Sequence, residues 1–107
     1  SGAVQPPELS DQQRSAASAK AVANRRRRAE IKTQLREGHL TWHELLELAH
    51  LDEVVAGLRV QEALLCLPGV GPQRLHRFMK HAQVSPTRRL RGLGHKQAQV
   101  LSEVLAQ

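Results

Sequence analysis

The sequence of 107 residues is poor in aromatics, with one Trp, one Phe and no Tyr. Cysteine is as scarce: Cys66 alone excludes a disulfide framework within the chain and any four-Cys zinc module. No apolar run approaches the ~20 residues that span a bilayer, and no signal-peptide core opens the chain. The sequence therefore reads as intracellular and soluble, with Ser1-Gly2 as a cloning remnant. β-Branched residues are few, and no stretch alternates apolar and polar side chains over strand length. Ala, Leu, Arg, Gln and Glu dominate, which predicts an all-α fold.

Acidic residues are missing from one long stretch. Residues 66–96 hold seven Lys and Arg and no Asp or Glu. The formal charge of +6 is thus unevenly laid out. Residues 1–36 carry eight basic and three acidic side chains, and residues 37–65 carry one and six. Residues 66–107 carry seven and one. Two basic ends around an acidic middle point to a polyanionic partner, whereas a merely solvated surface intersperses both signs.

Ser10 with Gln13 makes a capping-box signature for a first helix, which can run to Glu37 before Gly38 stops it. Residues 1–9 read as a disordered lead-in, 10–37 as a long basic helix and 38–107 as a small helical domain. Only Ile31 and Leu35 give the long helix a sizeable apolar pair, so it is expected to fray through about residue 22 without a partner. Arg25 to Arg28 advance about 100° each and together span about 300° of its circumference. They cannot all face one groove, so at least one is expected to face solvent, a second duplex or the acidic middle. Thr41 and Glu44 form a second capping box, opening a helix with Trp42, Leu45, Leu46 and Ala49 inward. Asp52 can cap a third helix, and Val60 to Leu67 reads as a fourth.

Leu67-Pro68-Gly69-Val70-Gly71-Pro72 is the sharpest local signal. Two glycines around an apolar residue suit a tight turn between helices, with Val70 as an inward pin and Pro72 at the first helical position. The next helix carries Leu75, Phe78 and Met79 inward and Arg74, Arg77 and Lys80 outward. Free N–H groups at such a helix start can hold a phosphate; the alternative is a corner whose glycines serve packing alone. Ser85-Pro86-Thr87 reads as a cap and helix start. Arg88-Arg89-Leu90-Arg91-Gly92-Leu93-Gly94-His95-Lys96 then surrounds a second glycine turn with cations. The last helix starts near His95 and presents Ala98, Leu101, Val104 and Leu105.

Arg25 to Leu35, Leu67-Pro68-Gly69-Val70-Gly71 and Arg88-Arg89-Leu90-Arg91-Gly92-Leu93-Gly94, in that order, resemble the actinobacterial integration host factor family. These are small nucleoid-associated proteins of mycobacteria and streptomycetes. The similarity covers about residues 10–106. It implies a helix-two-turns-helix module behind a long N-terminal helix, binding to duplex DNA with little sequence preference, changes in DNA shape and topology, and assistance to integration. Members often place a basic residue directly after the second hairpin glycine, where this chain has Pro72.

The candidate DNA contacts are Gly69, Val70, Gly71, Arg74 and Arg77 at the hairpin. At the second turn they are Arg88, Arg89, Arg91, Gly92, Gly94, His95 and Lys96, and on the long helix Arg25, Arg26, Arg28 and Lys32. The expected partner is double-stranded DNA, with a second duplex on another surface as an open alternative, and a monomer in solution within the nucleoid. With Trp42 and Phe78 assigned to the core, no aromatic remains to stack on unpaired bases. Catalysis is not expected. The six histidines are scattered, His43 and Glu47 share a helix face without a third ligand, and Cys66 reads as a core residue. No cofactor or metal is implied. The competing readings are a ribosomal-type RNA-binding module and, more remotely, a fragment of a repair glycosylase.

Overall fold

The computed structural model describes residues 10–107, so the expected lead-in over 1–9 lies outside the described residues. Among the described residues the elements are α1 (Asp11–Arg36), α2 (Trp42–Leu51), α3 (Glu53–Ala56), α4 (Val60–Cys66), α5 (Pro72–His81), one 3₁₀ turn (Leu90–Gly92) and α6 (His95–Leu105). There is no strand among them, only an isolated antiparallel bridge between Arg59 and Arg89. The fold is all-helical, as the composition predicts.

Local chemistry sets the helix ends. Ser10 Oγ accepts from the Gln13 N–H at 3.1 Å, while Gln13 Oε1 accepts from the Ser10 N–H at 2.8 Å. Thr41 and Glu44 repeat that exchange at 3.1 and 3.0 Å. Asp52 Oδ1 takes the Val54 and Val55 N–H groups at 2.9 and 3.4 Å. Each such cap is worth about 1 kcal/mol. Gly38 closes α1 with φ +76, a left-handed conformation that favours glycine.

Two expectations about the elements are corrected. The helix start at Ser85-Pro86-Thr87 is instead a turn, closed by the Arg88 N–H on the Ser85 carbonyl at 3.1 Å. Pro86 fits the second position of a turn as well as the first of a helix. The tertiary pairing then decides: Val60 N–H donates to the Arg88 carbonyl at 2.9 Å and Leu90 N–H to the Leu58 carbonyl at 2.8 Å. Those two bonds make the Arg59–Arg89 bridge and hold Arg89 extended ahead of the 3₁₀ turn. The other correction concerns α1, which is continuous from Asp11 although residues 11–23 are all exposed. With 26 residues it is roughly 39 Å long, and it stretches the molecule to 63 × 31 × 25 Å.

The core joins Ile31 and Leu35 of α1 to Leu45, Val55, Leu58, Val60, Leu64 and Leu101, all fully buried. Each contributes about 1.5–3 kcal/mol by burial. Trp42 is part of this core, and its buried indole Nε1 has no partner among the described residues. α1 packs on α3 and α4, α2 on α3 and the 3₁₀ turn, and α5 on α4 and α6.

Candidate nucleic-acid interface

The Arg-rich turn is fastened to the end of α3 by its own side chains. Arg89 Nη1 donates to the Gly57 carbonyl, and Arg91 Nη2 reaches the Glu53 carbonyl at 3.4 Å. From the other end of the chain, Arg28 Nε donates to the Val54 carbonyl at 3.2 Å. Three guanidinium groups thus gather on the Val54, Gly57 and Glu53 carbonyls around one short helix, and the Gly57 N–H also bonds the Glu53 and Val54 oxygens at 3.2 Å. Arg88 Nη1 donates to the Gly92 carbonyl at 2.9 Å and braces the turn. None of these four arginines forms an ion pair among the described residues, and Arg88, Arg89 and Arg91 are exposed. Gly92 and Gly94 follow with ordinary negative φ, and Leu90 is buried beneath them. Gly94 N–H donates to Gln97 Oε1 at 2.9 Å, leaving His95 and Lys96 exposed on the first turn of α6. Arg91 and His95 also line a cavity of about 260 Å³ floored by Leu46, Ala49, Leu90, Leu93 and Ala98.

The hairpin is built differently. Gly69 has φ +82, so the turn does need glycine there, and Val70 is buried as the inward pin. Gly71 is an ordinary extended N-cap at φ −93, with nothing within 4 Å of where a Cβ would stand. Arg74 was expected to face outward. It is half-buried instead: Nη1 donates to the Gly69 carbonyl at 3.0 Å, and the guanidinium lies 5.3 Å from the Phe78 ring centroid. It holds the turn shut. Arg77 and Lys80 are exposed as expected. The hairpin shares a groove of about 440 Å³ with Leu105 and Gln107 at the end of α6, whereas the Arg-rich turn sits at its start. The α6 helix that runs between these two ends has eleven residues and is roughly 16 Å long.

The four arginines of α1 divide by angle. Arg25 and Arg26 are exposed. Arg27 turns to the acidic middle, its Nε 3.4 Å from Asp52 Oδ2, with Glu30 Oε2 at 3.9 Å from Nη1. Arg28 faces α3. Lys32 is tied to Glu62 at 3.5 Å, so a phosphate must compete with that carboxylate for it. Burial disfavours the charged Asp52 carboxylate, but the Val55 and Val54 N–H groups and Arg27 outweigh burial and hold it below the usual range. The Thr41 backbone N–H likewise lowers the exposed Glu44. Gly57, on which this arrangement turns, was not singled out in the sequence, and nothing in its flanking residues marks it. His43 Nε2 contacts Glu47 Oε1 at 3.0 Å, and among the described residues no group of three metal-capable side chains exists. Cys66 is half-buried and its Sγ accepts from Arg36 Nη1 at 3.5 Å.

Residues 35–105 match the S13-like H2TH domain family. The chain is 43% identical over 97 residues to "Integration host factor" of Mycolicibacterium smegmatis, covering 91% of this chain and 92% of that protein. The protein of the same name from Mycobacterium tuberculosis gives the same values. That of Streptomyces coelicolor is 40% identical over 91 residues, covering 85% of each. Among solved structures, one described as "Structure of sIHF bound to an 8bp palindromic DNA" superposes with a TM-score of 0.76 at 36% identity. It covers 80% of this chain and 97% of that one.

Proposed function

The chain belongs to the integration host factor family of mycobacteria and Streptomyces, with its S13-like H2TH domain, and from that membership we propose that it binds double-stranded DNA as a non-enzymatic nucleoid-associated protein. The observation that carries the reading is the gathering of Arg28, Arg89 and Arg91 on the Val54, Gly57 and Glu53 carbonyls with no carboxylate partner among the described residues. Fixed, uncompensated guanidinium groups suit phosphates. Cations around turns and helix starts contact backbone phosphates, which position a protein on DNA and carry no base information. The protein therefore binds with weak sequence preference and shapes or bends the duplex, assisting integration and chromosome organisation. It acts in the cytoplasm on the nucleoid and is a monomer in solution. Arg25 and Arg26, exposed on α1, supply a second surface for the same duplex or another.

Gel-shift titration at several salt concentrations tests this. Neutralising about six phosphates makes log K fall about 5 units per log unit of salt. A slope near zero overturns the phosphate reading. Duplex RNA bound as tightly as duplex DNA overturns it in favour of the ribosomal-type module.

A further inference from the structure

Gly57 is buried at the end of α3, and its missing side chain is what lets two arginines meet. A Cβ there would stand 2.9 Å from Nη2 of Arg28 and 3.3 Å from Nη2 of Arg91. The two guanidinium ends therefore crowd one point, from opposite ends of the chain. Arg89 joins them through the Gly57 carbonyl. The backbone itself does not ask for glycine: φ −81 and ψ −6 are ordinary right-handed helical values, and the Gly57 N–H is used in closing α3. A methyl there would stand in ordinary contact with the Val54 carbonyl at 3.4 Å and would push the two flexible guanidinium ends aside.

Guanidinium groups held this close repel one another unless something offsets them. On the inner side the carbonyls of Glu53, Val54 and Gly57 do so. On the outer side no carboxylate among the described residues does: Asp52 is taken by Arg27, and the neighbouring Glu53 carboxylate forms no ion pair there. Three forked donors with inner edges satisfied and outer edges open complement a tetrahedral oxyanion. We propose that Arg28, Arg89 and Arg91 form one seat for a single phosphate group of the DNA backbone, and that Gly57 is the positioning residue that keeps it open. The proposal rests on the DNA-binding reading and deepens it. It makes α1 part of the site that the Arg-rich turn presents.

The test is Gly57→Ala in the full chain. Alanine suits that backbone, so the thermal midpoint holds or rises. Duplex affinity falls about tenfold, and the salt slope drops by about one phosphate's share, ~0.9. Arg28→Ala loses affinity similarly, and the double variant loses little more, because both act on one seat. Unchanged affinity in Gly57→Ala, or fully additive losses, overturns the seat while leaving DNA binding intact. A second measurement follows the Gly57 amide of the ¹⁵N-labelled protein by NMR. Displacement by a short duplex supports the proposal; a duplex that binds without moving it overturns it. Should the wild type bind no duplex, the DNA reading fails, and titration with inorganic phosphate decides alone. A shifted Gly57 amide then keeps the seat as an oxyanion site, and an unmoved one removes it.

Discussion

Arg27 and Asp52 meet across the seam between α1 and the α2–α3 junction, Nε to Oδ2 at 3.4 Å, while the other oxygen of the same carboxylate caps α3. One side chain thus both starts a helix and fastens the long one. Asp52→Ala removes both roles. The cap costs about 1 kcal/mol, and the partly exposed pair adds at most about 1 kcal/mol more. The thermal midpoint by circular dichroism should fall by roughly 5–10 °C. Asp52→Asn keeps an acceptor for the cap and should lose less than half of that.

The same carboxylate predicts an acid limb. Burial raises the Asp52 pKa, but the Val55 and Val54 N–H groups and Arg27 outweigh it, so the folded value lies below the unfolded one. Its contribution to stability is therefore full above the ordinary carboxylate value, about pH 4, and is lost as pH falls through the lower folded value. Denaturation followed from pH 6 to pH 2 should show that loss, and Asp52→Asn should flatten it.

The hairpin glycines should separate cleanly. Gly69→Ala forces a side chain into φ +82 and should cost about 1–2 kcal/mol. Gly71→Asp meets open space at an N-cap, where Asp is a favoured residue, so the fold should hold. Its carboxylate would nevertheless face an incoming phosphate. A fall in duplex affinity at constant thermal midpoint is the expected result; equal loss of both would assign Gly71 to packing alone, and no loss of either would remove it from the interface.

Cations already partnered should matter less than those without partners. Lys32→Ala removes a side chain engaged by Glu62 and should weaken duplex binding only about twofold. Arg89→Ala removes an arginine without an ion pair among the described residues and should cost at least about tenfold, with a shallower salt slope. Reversal of that order in gel-shift titrations would contradict the interface described.

Periodicity and capping residues carried most of the fold. Ser10, Thr41, Asp52 and Pro72 each start the helix that their chemistry predicts, because capping is local and depends on a few neighbours. Ser85 and Pro86 carry the same signal and start none, since the bonds to Leu58 and Val60 are long-range and invisible in a short window. The Arg-rich turn was legible from charge. The inward turn of Arg74 was not, because spacing alone cannot tell a side chain aimed at solvent from one that folds back onto its own carbonyl. Four consecutive arginines did announce that at least one must turn from a shared groove toward solvent, a second duplex or the acidic middle, though not that Arg27 and Arg28 would split between a carboxylate and a carbonyl.

The two backbone bonds that strap residues 88–90 to Leu58 and Val60 have a consequence for synthesis. A chain made from its N-terminus carries Arg28 and Gly57 well before Arg89 and Arg91 exist. Until the strap closes, α3 offers its carbonyls to one guanidinium instead of three. Contacts between such distant residues form after local helices do. Breaking the strap would leave Arg28 alone on these carbonyls, so the last residues of the chain decide how many cations the first ones meet there.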